Sequence, residues 1–266
     1  MTAGSLKAGC HILQRGKMNN SITVIGTCHH ETKAYKIIDL YNKLCDIRPD
    51  VILMEYPIEI EPEIMQWMNN NWEKKPGLEN TAVLKYLETH DIAVRPYDIR
   101  GRNDYFMKTK YFEHENAFEQ AYSAYFKSGN VNPKALSYAK AMSQAWKAVG
   151  NPDKPSLQEI NNPVFDTLMD ADLKIQRASL RAIIDLVPEF ASHKSGYLRR
   201  EKYHLKRDKA MVKNILDYNK QYEDKHLVVL CGYYHRYALI KQLKEKQVKE
   251  GFALLFDFFK CRYLLD

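Results

Sequence analysis

The chain has no Cys-x-x-Cys pair, no apolar run of membrane-spanning length and no low-complexity stretch. Its five cysteines, Cys10, Cys28, Cys45, Cys231 and Cys261, are an odd number scattered over 266 residues. That pattern reads as free thiols in a reducing compartment rather than a disulfide framework. Met1 to Asn20 lacks an apolar core of signal-peptide length, and a spanning helix needs about 20 apolar residues in a row, so a cytoplasmic location with no membrane partner is expected. Glycine (11) and proline (10) are few and the charged fraction is 27%, which argues against disorder. Charge of one sign is also scarce. The net +7 and the pI of about 8.9 are modest, and Lys and Glu interleave through most predicted helices, as on a solvated face. No recognisable nucleic-acid module accompanies that charge, so nucleic acid is not an expected partner.

What the chain does have is 45% hydrophobic residues, enough for one large core carrying a helical insertion. The run Ile22-Thr23-Val24-Ile25 stops at Gly26-Thr27-Cys28-His29-His30. This predicts a buried parallel strand, with Gly26 permitting the tight turn that presents histidine. Far along the chain, Leu227 to Cys231 runs into Gly232-Tyr233-Tyr234-His235, a second strand followed by G-x-x-H. Between them, Glu31 to Asp46 has helical spacing at Ile37, Tyr41 and Leu44, Arg48-Pro49 ends that helix, and Val51 to Glu55 completes a βαβ unit. Helical stretches over 59–72 and 78–90 lead to a third strand, Ile92-Ala93-Val94, which Asp98 follows. From Asn103 to about Tyr222 the apolar period is helical throughout. A helix from Tyr234 to about Lys249 and a strand over 252–259 close the chain, and His11-Ile12-Leu13 reads as a loose arm or an edge strand. The fold class is α/β, a mainly parallel central sheet flanked by helices. Its two halves, residues 1–102 and 199–266, are separated by an all-helical cap over 103–198.

Ligands gather at the carboxyl ends of strands in open α/β sheets, and a carboxylate ending an apolar strand must find a cation, a metal or donors. His29, Glu55 and His235 therefore form the primary constellation. Two imidazoles and a carboxylate suit zinc, or manganese or cobalt, with an open position for water. The same trio works without metal if one His takes a proton from water while Glu55 orients it. Arg207, on the helix before the last core strands, suits an oxyanion or a carboxylate. Secondary candidates are His30 beside His29, Asp98 after the third strand, His204 one turn before Arg207, and Cys28 and Tyr234 inside the two motifs. Tyr111, Phe118, Tyr122 and Tyr125 share a helical face, which reads as helix-to-helix core or, as a lid, as a surface for an apolar substrate.

Gly26-Thr27-Cys28-His29, Pro49-Asp50 leading to Glu55, Arg207-Asp208-Lys209-Ala210-Met211 and Gly232-Tyr233-Tyr234-His235, in that order and spacing, resemble the TraB/GumN/Tiki family. They also resemble the wider erythromycin esterase and ChaN superfamily. The resemblance covers roughly residues 21 to 98 and 200 to 258. It implies an α/β core with a helical cap and a site built from His29, Glu55, Arg207 and His235. It also implies metal-dependent peptide hydrolysis in Tiki-like members, ester hydrolysis with a His base in erythromycin esterase-like members, and haem binding in ChaN-like members. The bulky Tyr233-Tyr234 pair departs from the smaller residues common at that motif and predicts a narrowed or aromatic pocket. The function expected is hydrolysis of an ester, amide or related bond in a small-molecule or peptide substrate. A non-catalytic protein binding haem or another ligand, or a regulator, is the alternative.

Overall fold

The β-branched runs become strands in the computed structural model, which describes residues 20–69, 77–150 and 155–256. Strands β1 (Asn20–Thr27), β2 (Val51–Pro57), β3 (Ala93–Asp98), β4 (His226–Gly232) and β5 (Phe252–Leu255) form one all-parallel sheet in the order β3-β2-β4-β1-β5. The α-helices are α1 (Ile37–Ile47), α2 (Ile64–Asn69), α3 (Leu78–Leu87), α4 (Arg102–Lys108), α5 (Tyr111–Lys127), α6 (Pro133–Ala148), α7 (Pro163–Leu186), α8 (Lys194–Gln221) and α9 (Tyr233–Glu250). One side of the sheet packs Ile25, Ile52 and Val228 against Leu40 of α1, Val83 of α3 and Met169 of α7. The other packs Val24, Leu53 and Val229 against Met211 of α8 and Leu239 of α9. Burial on both sides explains why these strands are apolar without alternation.

The first βαβ unit straddles β4, which lies between β1 and β2. From β2 the chain moves outward to β3, whereas from β4 it moves the opposite way to β5. The ends of β2 and β4 therefore meet at a topological switch point, where open α/β sheets leave a crevice.

Helix starts follow local chemistry. Asn132 and Asn162 each precede a proline at the first helical position, and their side chains accept backbone N–H groups of α6 and α7. α1 begins at Ile37 rather than Glu31, because the Thr32 hydroxyl accepts the N–H groups of Ala34 and Tyr35 and holds a turn there. The helix expected over 59–72 is a 3-10 stretch, Ile58–Glu63, with Pro62 inside it, then α2. Residues 70–72, the end of the strand expected over 252–259 and the arm at His11 to Leu13 lie outside the described residues.

The helical middle divides between two cores. Phe118, Ile183, Ile184, Phe190 and Tyr197 form a separate cluster, the core of the cap. Phe165 and Met169, at the other end of α7, belong to the core beneath the sheet. The stretch 103–198 is thus a cap only in part, because α7 is long enough to reach both clusters. Among the described residues no helix is long and apolar enough to cross a membrane.

Gly26 has a different reason to be glycine from the turn expected for it. It lies within β1, and positive φ is absent there. A Cβ at this position would stand 2.8 Å from Cδ of Arg236 and 3.4 Å from the Cα of Tyr233. Arg236 is 0% exposed, is paired with Asp166, and donates to the Phe256 carbonyl at 2.6 Å. Among the described residues β5 pairs with β1 as far as Thr23, and further along the strand Asn161 bonds to Gly26. Its Oδ1 accepts the Gly26 N–H at 2.7 Å and its Nδ2 donates to the Gly26 carbonyl at 2.9 Å, so the strand end stays satisfied. Gly26→Ala should destabilise the fold by about 1–3 kcal/mol through overpacking against Arg236. Urea unfolding checks this, and an unchanged midpoint would refute the packing argument.

Candidate active site

Pairing of Gly26 with Cys231 and Thr27 with Gly232 places the two G-x-x-H motifs side by side at the carboxyl ends of adjacent strands. Across the sheet, the strand ends then present Asp98, Glu55, Gly232 and Thr27 in spatial order.

The centre of this row is Arg207, which α8 lowers onto the strand ends. Its Nε and Nη2 donate to the two carboxylate oxygens of Asp98 at 2.9 and 2.8 Å. Nη2 also donates to Glu55 at 2.5 Å, and Nη1 lies 3.1 Å from His235 Nε2. Helical spacing puts Arg207 on the same side of α8 as Tyr203, Met211, Asn214 and Ile215. Met211 and Ile215 enter the core, and Asn214 donates to the carbonyls of Tyr97 and Asp98 at 3.0 and 3.3 Å. Asp98 is 0% exposed and Arg207 8%, so these charges meet away from bulk water. Burial lowers the pKa of Arg207, but Glu55 and Asp98 outweigh it and raise it.

Glu55 meets the requirement set by its place at a strand end with a cation and a donor together. Its second oxygen accepts the Gly232 N–H at 2.7 Å. Burial pushes its pKa up, yet the charges of His235 and Arg207 and the Gly232 N–H hold it at about 2. His235 Nδ1 donates to Asp208 at 2.7 Å, which leaves Nε2 to accept from Arg207. Burial opposes its charged form, and Glu55 and Asp208 raise its pKa overall.

His29 stands apart from that buried group. Its side chain is 76% exposed, and its Nδ1 lies 3.3 Å from Oε1 of Glu79, in the first turn of α3. The start of α3 also seats the histidine's backbone: the Leu78 N–H donates to the His29 carbonyl at 3.2 Å. A Cβ on Gly77 would come within 3.2 Å of that carbonyl oxygen, a tight contact that glycine avoids. The Thr27 hydroxyl donates to the same Oε1 of Glu79 at 2.5 Å. The hydrogen bond to Glu79 lifts His29 to about 9, with water screening part of that pull at so exposed a ring. His29 Nε2 and Glu55 Oε2 lie 3.6 and 3.5 Å from the position a Cβ on Gly232 would occupy. They flank one point in a cavity of about 500 Å³, which α4 and α5 roof with Arg102, Phe106, Tyr111 and Phe112.

The secondary candidates separate. Asp98 belongs to the site as the partner of both Arg207 and Arg102. His204 lines the cavity, its Nε2 is 2.8 Å from the Tyr111 hydroxyl, and burial together with His235 and Arg207 pushes it down to about 4, so it is neutral. His30 is exposed and makes none of the contacts that seat His29. Cys28 turns into the core, and burial and Glu79 raise its thiol to about 11, which leaves no thiolate for chemistry. Tyr233 and Tyr234 do not narrow this cavity. They stack on each other, with Tyr234 against Trp146 and Tyr233 against Phe165. Within the aromatic stripe only Tyr111 reaches the site, since Phe118, Tyr122 and Tyr125 pack on Phe190.

A divalent ion held by His29, Glu55 and His235 is one of the two expectations for this trio. Among the described residues no three His, Cys, Asp or Glu groups lie close enough together to hold one. Glu55 Oε1 and His235 Nε2 stand 3.9 Å apart, and Arg207 donates to Glu55 while its Nη1 faces His235 Nε2, so both atoms are already engaged by a cation. Glu79 and Asp208, which orient the two histidines, carried no role in the sequence reading. The available signals were an acidic residue in the first helical turn after Pro76-Gly77, and an acidic residue directly after Arg207.

No family model, curated protein or solved structure matches the chain.

Two outcomes test the electrostatics. Glu79→Gln should bring the His29 pKa down from about 9 toward 6.5, read by NMR titration of the ring. Arg207→Leu strands two buried carboxylates and should cost about 3–5 kcal/mol in urea unfolding, whereas a loss under 1 kcal/mol would show that the cluster does not depend on its cation.

Proposed function

We propose that the chain is a hydrolase that activates water without a metal, with His29 as the proton carrier. The observation that carries this reading is the Glu79–His29 pair, whose free Nε2 shares one point of the cavity with the Glu55 carboxylate. A carboxylate behind an imidazole fixes its tautomer and stabilises the imidazolium formed when it takes a proton, the logic of base-activated water and nucleophiles generally.

In this reading water sits between His29 Nε2 and Glu55 and attacks an ester, amide or related carbonyl. Its proton passes to His29, is held there by Glu79, and is then returned to the leaving group. Glu55, held at about 2, stays an anion throughout the working range and orients the water rather than carrying a proton. N–H groups of Arg102 and Arg207 line the cavity where negative charge would develop. Arg207 is committed to Asp98, Glu55 and His235, so holding the acid in place is its main task. The motif resemblance to the erythromycin esterase and TraB/GumN/Tiki groups supports the same reaction class. Haem ligation would have to fall to His29, because His235 Nε2 faces the Arg207 cation.

Turnover of 4-nitrophenyl acetate by the purified chain tests the proposal. Since the free imidazole is the base, and its pKa is about 9, activity should climb from pH 7 to a plateau above pH 9. Glu79→Gln should move that limb toward pH 6.5 while lowering the plateau. His29→Ala should cost about 10²–10⁴-fold in kcat, and chelators should change nothing. Hydrolysis retained in both His29→Ala and Glu55→Gln would sink the proposal. A haem absorption band that disappears in His29→Ala, with no turnover by the parent chain, would replace it with ligand binding.

A further inference from the structure

The cavity has an unusual charge balance for a site so rich in ionisable groups. Three carboxylates line it, Glu55, Glu79 and Glu115, together with Arg102, Arg207 and His29. Below about pH 9, where His29 is protonated, each has an opposite partner within the fold. Glu55 pairs with Arg207 at 2.5 Å, Glu79 with His29 at 3.3 Å, Arg102 with Asp98 at 2.8 Å and Glu115 with Arg200 at 2.5 Å. His204 adds a neutral polar group bonded to Tyr111. A charged ligand would lose its hydration here and find its counter-ions already engaged, a desolvation cost without a compensating ion pair.

Aromatic rings line the cavity as well. Tyr56, Phe106, Tyr111 and Phe112 line the same cavity, and Phe106 packs against Tyr111 and Phe112 with centroids 4.7 and 5.2 Å away. Phe112 remains 57% exposed, although Phe118, on the same helix, is buried. A large aromatic ring left half in water at the edge of a cavity gains by burial only when something apolar covers it.

We infer that this site takes an uncharged substrate bearing a flat aromatic or broad apolar group, which lies on Phe106 and Phe112 while its polar, scissile end reaches His29 and Glu55. The inference names the substrate class of the site proposed above and rests on that placement of the reacting groups. It requires no turnover to be tested. Three molecules of one shape separate charge from shape: 4-phenylbutyramide (neutral), 4-phenylbutyrate (anionic) and 4-phenylbutylamine (cationic).

Isothermal titration of the full chain should show the amide binding at least tenfold more tightly than either charged analogue. Phe112→Ala should weaken the amide about tenfold, and because that ring is largely exposed the variant should fold normally, which circular dichroism checks. Phe112→Leu, which keeps apolar area without a ring, should fall between the two. Equal or tighter binding of the acid or the amine, no binding of any of the three, or an unchanged amide affinity in Phe112→Ala would each overturn the inference. Failure of the hydrolase reading looks different: 4-nitrophenyl esters would not turn over although the amide still bound with the stated preference. Conversely, esters hydrolysed alike whatever the charge of their acyl group would keep the hydrolase and discard this substrate class.

Discussion

Everything at the carboxyl edge of the sheet depends on one guanidinium. Arg207 is nearly buried and shared among Asp98, Glu55 and His235, so three strand or helix ends are tied to a single point on α8. Each acid alone would be an uncompensated buried charge, and the cation alone would be as costly. Together they form a network whose members satisfy one another, the condition under which buried charge is tolerated and geometry becomes well defined. The planar fork of arginine meets both oxygens of Asp98 and still reaches Glu55, which a lysine ammonium could not do.

That network also divides the work of the two histidines. His235 is enclosed and flanked by Asp208 and Arg207. His29, seated on the start of α3 and open to solvent, keeps a ring nitrogen directed at the cavity. The two G-x-x-H motifs look equivalent as sequence, yet their environments push them toward different tasks. Two glycines ease close approaches in this arrangement: Gly26 clears room for buried Arg236, and Gly77 avoids a tight contact with the His29 carbonyl. The cap contributes to the cavity as well. α4 and α5 bring Phe106, Tyr111 and Phe112 over the strand ends, and the rest of the aromatic stripe serves its internal packing.

Much of this was legible in the chain itself. Continuous β-branched runs are what a doubly covered parallel strand demands, so the sheet and the strand-end edge that carries Glu55 and the two G-x-x-H motifs followed from periodicity and from strand-end logic. The helical run over 103–198 also read correctly as helical. Element boundaries nearer the start of the chain read less well: a Thr32 turn delayed α1, and Pro62 converted the start of a predicted helix to a 3-10 stretch, both local competitions that apolar spacing does not register. Glu79, Asp208 and Asn161 went unassigned because each acts on a residue distant in sequence or hidden by the fold, and no spacing rule marks such a partner.

By itself, then, the amino-acid sequence determined the element types and the edge of the sheet where polar residues had to gather, because burial and strand geometry act locally on the chain. Only the tertiary structure decided what those residues do. The crossing of α8 over the strand ends brought one cation against both Glu55 and His235, and the docking of α3 gave His29 its carboxylate. Both outcomes rest on the distance and dielectric between groups far apart in sequence, quantities that exist only once the helices have packed.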